Sequence, residues 1–266
     1  MFDSIAGDYD SLNHILSLDV DKIWRKKALK QIVDAPAPAR VLDLACGTGD
    51  FSIAIAKALS RSHKRVGTPI EAHVKAPAKA PVEAQVTSTG FVTGDSGRSD
   101  LMTKGHVTGV DLSEGMLAVM REKVAKAGLT EMISIEEGDG ENLRFPDNTF
   151  DRVTIAFGIR KFENREKGLR EMLRVLKPGG RLVILELSRP ENKIIRWFYD
   201  LYFLHILPKV GGKVSGDKAA YAYLPASVAA FPGKKAFMAT MREAGFRAVT
   251  HKAFTLGICR MYTGEK

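Results

Sequence analysis

The residues best suited to chemistry stand together in one stretch, Val41-Leu42-Asp43-Leu44-Ala45-Cys46-Gly47-Thr48-Gly49-Asp50. A short apolar run enters a glycine-rich turn, and a helical pattern follows from Phe51 to Leu59. Glycine lets a backbone approach a ligand closely, and a helix start presents N–H groups that have no partner of their own. A phosphate loop would need Lys followed by Ser or Thr, which the stretch lacks. The dinucleotide form would need a glycine three residues after Gly49, where this chain has Ser52. Asp43 and Asp50 flank the turn and would repel a pyrophosphate. They would attract a ligand carrying an ammonium. S-adenosylmethionine carries an ammonium and a sulfonium, so it is expected here in preference to NAD.

Two more acids complete the pattern. Asp111 closes the run His106-Val107-Thr108-Gly109-Val110-Asp111, where a carboxylate accepts both hydroxyls of a ribose. The alternative is a local role at the helix that Ser113 caps. Asp139, in Gly138-Asp139-Gly140-Glu141, could accept from an adenine amino group or simply close a turn. The ribose acid normally follows the loop by about 20 residues, and Asp111 is much further on. The intervening segment, about 60–105, is rich in Ala, Pro, Lys, Thr, Gly and Ser and poor in large apolar residues. Such a composition does not bury enough surface to offset its ordering entropy. It reads as an exposed insertion, with a weak alternation at 71–86 that would suit a short hairpin. Deleting it restores the expected spacing.

Alternating strands and helices must position these groups. Arg40–Leu44, His106–Asp111, Ile133–Glu137, Phe150–Phe157 and Arg181–Leu187 read as buried strands. Helices are expected over Phe51–Leu59, from Ser113 to about Ala127, and over Gly168–Leu176, where Lys177-Pro178-Gly179-Gly180 stops the last one. A helix at Lys234–Ala244 precedes a final strand pair, Phe246–Phe254 and Ile258–Thr263. This order predicts an α/β fold, a doubly wound and mostly parallel sheet within one domain spanning 1–266. Ile194–Leu207 is apolar nearly all round, and reads as a core helix, a lid over an apolar substrate or a foot on a membrane surface.

Composition narrows the setting. The chain has 266 residues, 45% hydrophobic and 27% charged, an ordinary globular balance. Forty Lys and Arg against 31 Asp and Glu give a formal charge of +9, which suits anionic partners without choosing among them. Cys46 and Cys259 match no zinc or redox spacing, so no metal is expected, and a reducing, cytoplasmic compartment is. Met1-Phe2-Asp3-Ser4 lacks the pattern of a secretory signal. No run reaches the ~18–20 apolar residues that span a bilayer. No basic stripe with interleaved aromatics points to nucleic acid.

These motifs, with Phe150-Asp151 and the run Arg174 to Gly180, resemble the class I S-adenosylmethionine methyltransferases. More narrowly, the chain resembles the ubiquinone/menaquinone biosynthesis C-methyltransferases over nearly its whole length apart from the insertion. Tyr9-Asp10-Ser11-Leu12-Asn13-His14-Ile15-Leu16-Ser17, continuing to Trp24, is similar to that family's amino-terminal signature. Thr154-Ile155-Ala156-Phe157-Gly158-Ile159-Arg160 and Leu185-Glu186-Leu187-Ser188 resemble later motifs, and Tyr221, Tyr223, Leu224, Ser227, Phe231 and Pro232 lie in a family-like segment. Two positions depart from the pattern: Lys161 stands where Asn is usual, and Gly140 where Ala is.

The resemblance implies a sheet with an antiparallel last strand and a helical lid. It implies S-adenosylmethionine held by Asp43, Gly47, Thr48, Gly49, Asp111, Asp139, Gly140 and Ala156. It implies transfer of a methyl group to a ring carbon of a prenylated naphthoquinol, demethylmenaquinol; the alternatives are a prenylated benzoquinol, or another small molecule methylated with the same cofactor. Arg160 would stabilise the ring oxygen, while Tyr9 and Asp10, with His14 nearby, would shape or deprotonate the site. Contact with the inner face of the membrane from the side would fit such a substrate, and no nucleic-acid partner is implied.

Overall fold

A computed structural model of the chain describes residues 19–35, 39–66, 105–202 and 218–266. In chain order these form α1 (Val20–Ile32), β1 (Arg40–Leu44), α2 (Asp50–Val66), β2 (His106–Asp111), α3 (Glu114–Lys126), β3 (Ile133–Glu137) and β4 (Phe150–Ala156). A single 3-10 turn, Ile159–Lys161, leads to α4 (Arg165–Val175), β5 (Leu176–Leu187) and α5 (Lys193–Leu201). Then come α6 (Lys218–Ala230), α7 (Lys234–Glu243), β6 (Arg247–Phe254), a second 3-10 turn (Thr255–Gly257) and β7 (Cys259–Glu265).

The strands make one seven-stranded sheet in the order β3-β2-β1-β4-β5-β7-β6. All pairings from β3 to β5 are parallel, and β7 runs antiparallel to both β5 and β6. From the central β1 the chain winds outward through β2 and β3, then returns to β4 and winds the other way. The reversal leaves a crevice between the carboxyl ends of β1 and β4, the place where open α/β sheets bind ligands.

The strand sequences alternate in the way this sheet requires. Val41, Val183 and Leu185 pack with α1, α2 and α3 residues Trp24, Ala28, Ile55, Leu117 and Met120 on one face. Leu42, Leu44, Leu182 and Ile184 pack with Leu169, Met172, Phe237 and Met241 of α4 and α7 on the other. Successive side chains of a strand point to opposite faces, and here both faces are covered, which is why the strands read as nearly continuous apolar runs.

Four expectations need correcting. The helix expected to end at Leu59 continues to Val66, so the atypical segment begins inside a helix; residues 67–104, including the suggested hairpin, lie outside the described residues. The fourth helix begins at Arg165, where Asn164 caps it by accepting from Lys167 N–H. The Lys177–Gly180 turn does not separate helix from strand: β5 begins at Leu176, which pairs with Phe150 across an irregularity in the β4 register. Finally, α5 is not a core helix. Ile194, Trp197, Phe198 and Leu201 are 70%, 62%, 59% and 40% exposed. Residues 203–207 of that apolar run lie outside the described residues, as do Tyr9, Asp10 and His14.

Candidate active site

The loop after β1 is held tightly from below and open above. Cys46 N–H donates to the Val110 carbonyl (3.1 Å) and Gly49 N–H to the Cys46 carbonyl (3.0 Å), which closes the turn before α2 starts. Gly49 has φ +83°, and a Cβ there would lie 2.4 Å from Met120 Cγ. Gly47 has φ +56°, yet no heavy atom stands within 4 Å of where its Cβ would be. The loop therefore rests on the Met120 side chain and leaves room over Gly47. Gly109 of β2 completes the floor, its hypothetical Cβ only 2.7 Å from Met120 Cε.

Asp111 joins the two strand ends. Its Oδ2 accepts from Gly47 N–H (2.8 Å) and its Oδ1 from Ser113 N–H (3.0 Å). A carboxylate offers about four lone-pair sites, so both oxygens retain an acceptor direction after fixing the two loops. The ribose reading and the helix-cap reading of Asp111 are thus compatible. Leu112 beside it is an apolar side chain left 68% exposed. Asp139 follows β3, and its Oδ1 accepts from Glu141 N–H at 2.8 Å. Gly140 is pinned by aromatic packing: a Cβ there would lie 2.6 Å from Phe162 Cζ, and one on Gly168 would lie 2.5 Å from the same ring.

Asp43 and Asp50, which look equivalent in the sequence, behave differently. Asp50 is engaged by Lys123 and, at 3.4 Å, by Arg25, so its charge is already balanced. Lys123 also donates to Thr48 Oγ1 at 3.4 Å. Asp43 is 1% exposed and accepts from Ser52 Oγ–H at 2.5 Å. Burial pushes its carboxyl up to about 7, opposed by the Ser52 hydrogen bond and the Arg25 charge and reinforced by the negative charge of Asp111. The Cys46 thiol is driven up by its own burial and by these two acids. A cationic ligand relieves that mutual repulsion, and a phosphate would add to it. The residues present therefore fit an ammonium-bearing nucleoside, such as S-adenosylmethionine.

Beyond β4 the wall becomes aromatic and then ionic. Phe157 takes φ +61°, an uncommon conformation for a bulky residue, and its N–H donates to Leu185 O at 2.8 Å. Its ring lies 6.2 Å from that of Trp24, whose indole N–H donates to Thr255 Oγ1 at 2.9 Å. Ala156, at the end of β4, is half-buried beside them. Arg160 is buried, with its side chain 6% exposed, against Glu186, whose side chain is fully enclosed. Arg160 Nη1 donates to Glu186 Oε1 at 2.9 Å and also to Phe157 O, while Nε donates to Ser227 Oγ at 3.3 Å. Arg160 N–H and Leu187 N–H donate to the same carboxylate at 3.1 and 2.8 Å.

The structure thus gathers Asp43, Gly47, Thr48, Gly49, Asp111, Asp139, Gly140, Ala156 and Arg160 along one edge of the sheet. Sequence reasoning missed the structural roles of Glu186, Trp24 and Leu112. A single acid inside the apolar run Leu182-Val183-Ile184-Leu185-Glu186-Leu187 was the available signal for the first.

A doubly wound sheet with acidic groups at the ends of β1 and β2 and a glycine turn between them defines the class of S-adenosylmethionine-dependent methyltransferases. An Aquifex aeolicus SAM-dependent methyltransferase shares the fold, with a TM-score of 0.54 and 19% identity over 90% of this chain and 88% of that one. Residues 1–266 match the ubiE/COQ5 methyltransferase family, and the chain belongs to that family. It is 43% identical over its full length to the Geobacter sulfurreducens ubiquinone/menaquinone biosynthesis C-methyltransferase UbiE, covering 87% of that protein. It is 38% identical over its full length to the Bacteroides fragilis demethylmenaquinone methyltransferase, covering 91% of it.

Proposed function

We propose that the protein transfers a methyl group from S-adenosylmethionine to a ring carbon of demethylmenaquinol, giving menaquinol. The observation that carries this reading is the paired carboxylates Asp43 and Asp111 around an open Gly47, in a chain that matches the family from end to end. The names of its relatives supply the acceptor. The bound cofactor supplies an electrophilic methyl group.

The chain's own residues do the rest. Asp111 would hold the ribose hydroxyls through its remaining lone pairs, and Asp139 would accept from the adenine amino group. Leu112 offers an apolar face to a planar base. The room over Gly47, with Thr48 and Gly49 on the turn and Asp43 beneath, would take the amino-acid end, and Ala156 would lie near the reacting end.

A quinol carbon becomes nucleophilic when the neighbouring hydroxyl loses its proton, so the site must hold a phenolate-like ring in line with the methyl group. Among the described residues, Arg160 Nη2 makes no hydrogen bond, which leaves it as the donor for that oxygen. Tyr9 and Asp10 are the proposed proton acceptors. Once methylated, the ring carbon must lose its own proton to an acceptor on the chain before aromaticity returns. The Trp24–Phe157 pair supplies an apolar wall for the rings.

The prenylated acceptor implies contact with a membrane from the side, by a cytoplasmic protein with one domain interrupted at about 60–105. A prenylated benzoquinol is the second reading, because the Geobacter relative's name covers both pathways. Purified protein offered short-chain demethylmenaquinol and the matching demethylated benzoquinol in competition tests it. Preferential methylation of the naphthoquinol is expected, and equal or reversed preference would overturn the assignment of the acceptor.

A further inference from the structure

The helix α5 turns its apolar stripe the wrong way for a globular protein. Ile194, Trp197, Phe198 and Leu201 stand at positions i, i+3, i+4 and i+7, which is one face of a helix. That face is exposed along its whole length, whereas Tyr199 on the opposite side is buried. The Trp197 and Phe198 rings meet edge to face at 4.8 Å, so the stripe is ordered by its own contacts. Polar contacts cap the helix and tie it to the segment that precedes it. Asn192 Oδ1 accepts from Ile194 and Ile195 N–H at 2.9 and 3.2 Å. Arg189 bonds Asp200 across the helix, and Arg196 donates to Pro190 O at 2.9 Å and Glu191 O at 3.3 Å.

A second exposed apolar residue lies in the 3-10 turn that adjoins the segment before α5. Leu256 is 71% exposed, and Thr255 and Leu256 both take positive φ, 44° and 57°. Two consecutive non-glycine residues in that region are strained, and the strained turn presents a leucine to solvent. The adjoining Gly257 lies beside Pro190, just before α5: its hypothetical Cβ is 3.7 Å from Pro190 Cα.

Charge selects what covers this face. The two acids near it are already neutralised, Glu191 by Lys234 and Arg260 and Asp200 by Arg189. Lys193 is exposed and the chain carries +9. We infer that the α5 stripe with Leu256 is a docking surface for an anionic phospholipid bilayer, lying in the headgroup region and placing the open edge of the sheet at the membrane. An apolar stripe with a tryptophan, flanked by cations, is the makeup of an interfacial helix, and no helix among the described residues is long and apolar enough to cross a membrane. The inference deepens the proposed function, since a prenylated acceptor resides in a bilayer, but its test is read without turnover.

The full-length protein is mixed with vesicles of phosphatidylcholine, with and without phosphatidylglycerol, some carrying brominated acyl chains. The chain has two tryptophans, and Trp24 is only 4% exposed, so quenching by brominated lipid reports Trp197. The expected result is salt-sensitive flotation with the anionic vesicles and quenching of about half the tryptophan emission. The Trp197→Ser/Phe198→Ser variant is expected to bind at least ~10-fold more weakly, given four apolar side chains in the stripe, while keeping S-adenosylmethionine affinity and methylation of a short-chain, soluble quinol. Absence of flotation, binding without quenching, or equal binding by the variant overturns the inference. So does a wild-type dimer that the variant converts to monomer, because the stripe would then be a subunit interface. Quenching uses the unaltered protein, so the inference remains falsifiable if the variant does not fold. Flotation without methyl transfer would refute the proposed reaction and leave the docking surface standing.

Discussion

Replacing Arg160 with Met tests how the far wall of the site is held. The guanidinium and the Glu186 carboxylate are 6% and 0% exposed, so solvent screens neither. The substitution keeps most of the side-chain volume and removes the donors at 2.9 Å to Glu186 and 3.3 Å to Ser227, as well as the one to Phe157 O. Glu186 would keep only the backbone N–H groups of residue 160 and Leu187, at 3.1 and 2.8 Å. Removing one partner of a buried ion pair costs ~3–5 kcal/mol. The two surviving backbone donors put the expected loss near the lower end, about 3 kcal/mol, whereas an exposed pair would cost ~0–1 kcal/mol. Urea unfolding followed by circular dichroism measures it. Arg160→Met combined with Glu186→Leu should lose less than the two single losses added together, by ~2 kcal/mol or more, because the double variant buries no lone charge. A single-variant loss below ~1 kcal/mol, or strict additivity, would refute this account of the wall. In the same samples the folded Arg160→Met fraction should lose kcat by ~100-fold or more, the scale of one lost oxyanion donor.

Three other perturbations follow from the geometry. Asp43 titrates near 7 in the folded protein against an ordinary 3.8, so between those values the folded state holds a proton that the unfolded chain has released. Stability should therefore fall as pH rises from about 4 to 7, by a few kcal/mol; Asp43→Asn should flatten that slope in urea titrations, and an unchanged slope would contradict the burial argument. Asp111→Ala removes the acceptor of two backbone N–H groups as well as the proposed ribose contact, and calorimetry should show S-adenosylmethionine affinity falling ~100-fold. Gly140→Ala pushes a methyl to 2.6 Å from the Phe162 ring and should cost ~1–3 kcal/mol as overpacking. Adding Phe162→Leu should restore most of the loss in thermal unfolding, and no restoration would mean that Phe162 does not set the residue at 140.

The central parallel strands were legible because they are buried on both faces, so Arg40–Leu44 and His106–Asp111 stand out as apolar runs with the same bounds in the structure, while the edge strand Ile133–Glu137 showed itself by alternation. The helix Val20–Ile32 was not, since only Trp24, Ala28 and Ile32 carry its buried apolar stripe among many Lys and Arg. Lys218–Ala230 was hidden by Pro225 inside it, a residue that ordinarily argues against a helix interior. The apolar character of α5 was readable, but the choice among a core helix, a lid and a membrane foot was not, because the segment is apolar nearly all round and only packing shows which face is covered. At the site, the acids were legible by their places at strand ends. Their states were not: Asp50 is balanced by Lys123, which lies 73 residues away in sequence, whereas at Asp43 burial outweighs the Ser52 hydrogen bond and the Arg25 charge. Such pairings depend on tertiary packing, which local spacing does not encode. The departure at Gly140 gains a reason only in three dimensions, from the ring of Phe162.

The central claim is a bond between a methyl group and a quinol carbon. The most direct measurement supplies purified protein with S-adenosylmethionine carrying a carbon-13 methyl and with reduced short-chain demethylmenaquinol, and records the product by NMR. The account predicts a labelled methyl on the naphthoquinone ring carbon, dependent on the quinol form. A labelled methoxy signal, or no transfer by protein that binds the cofactor, would contradict it.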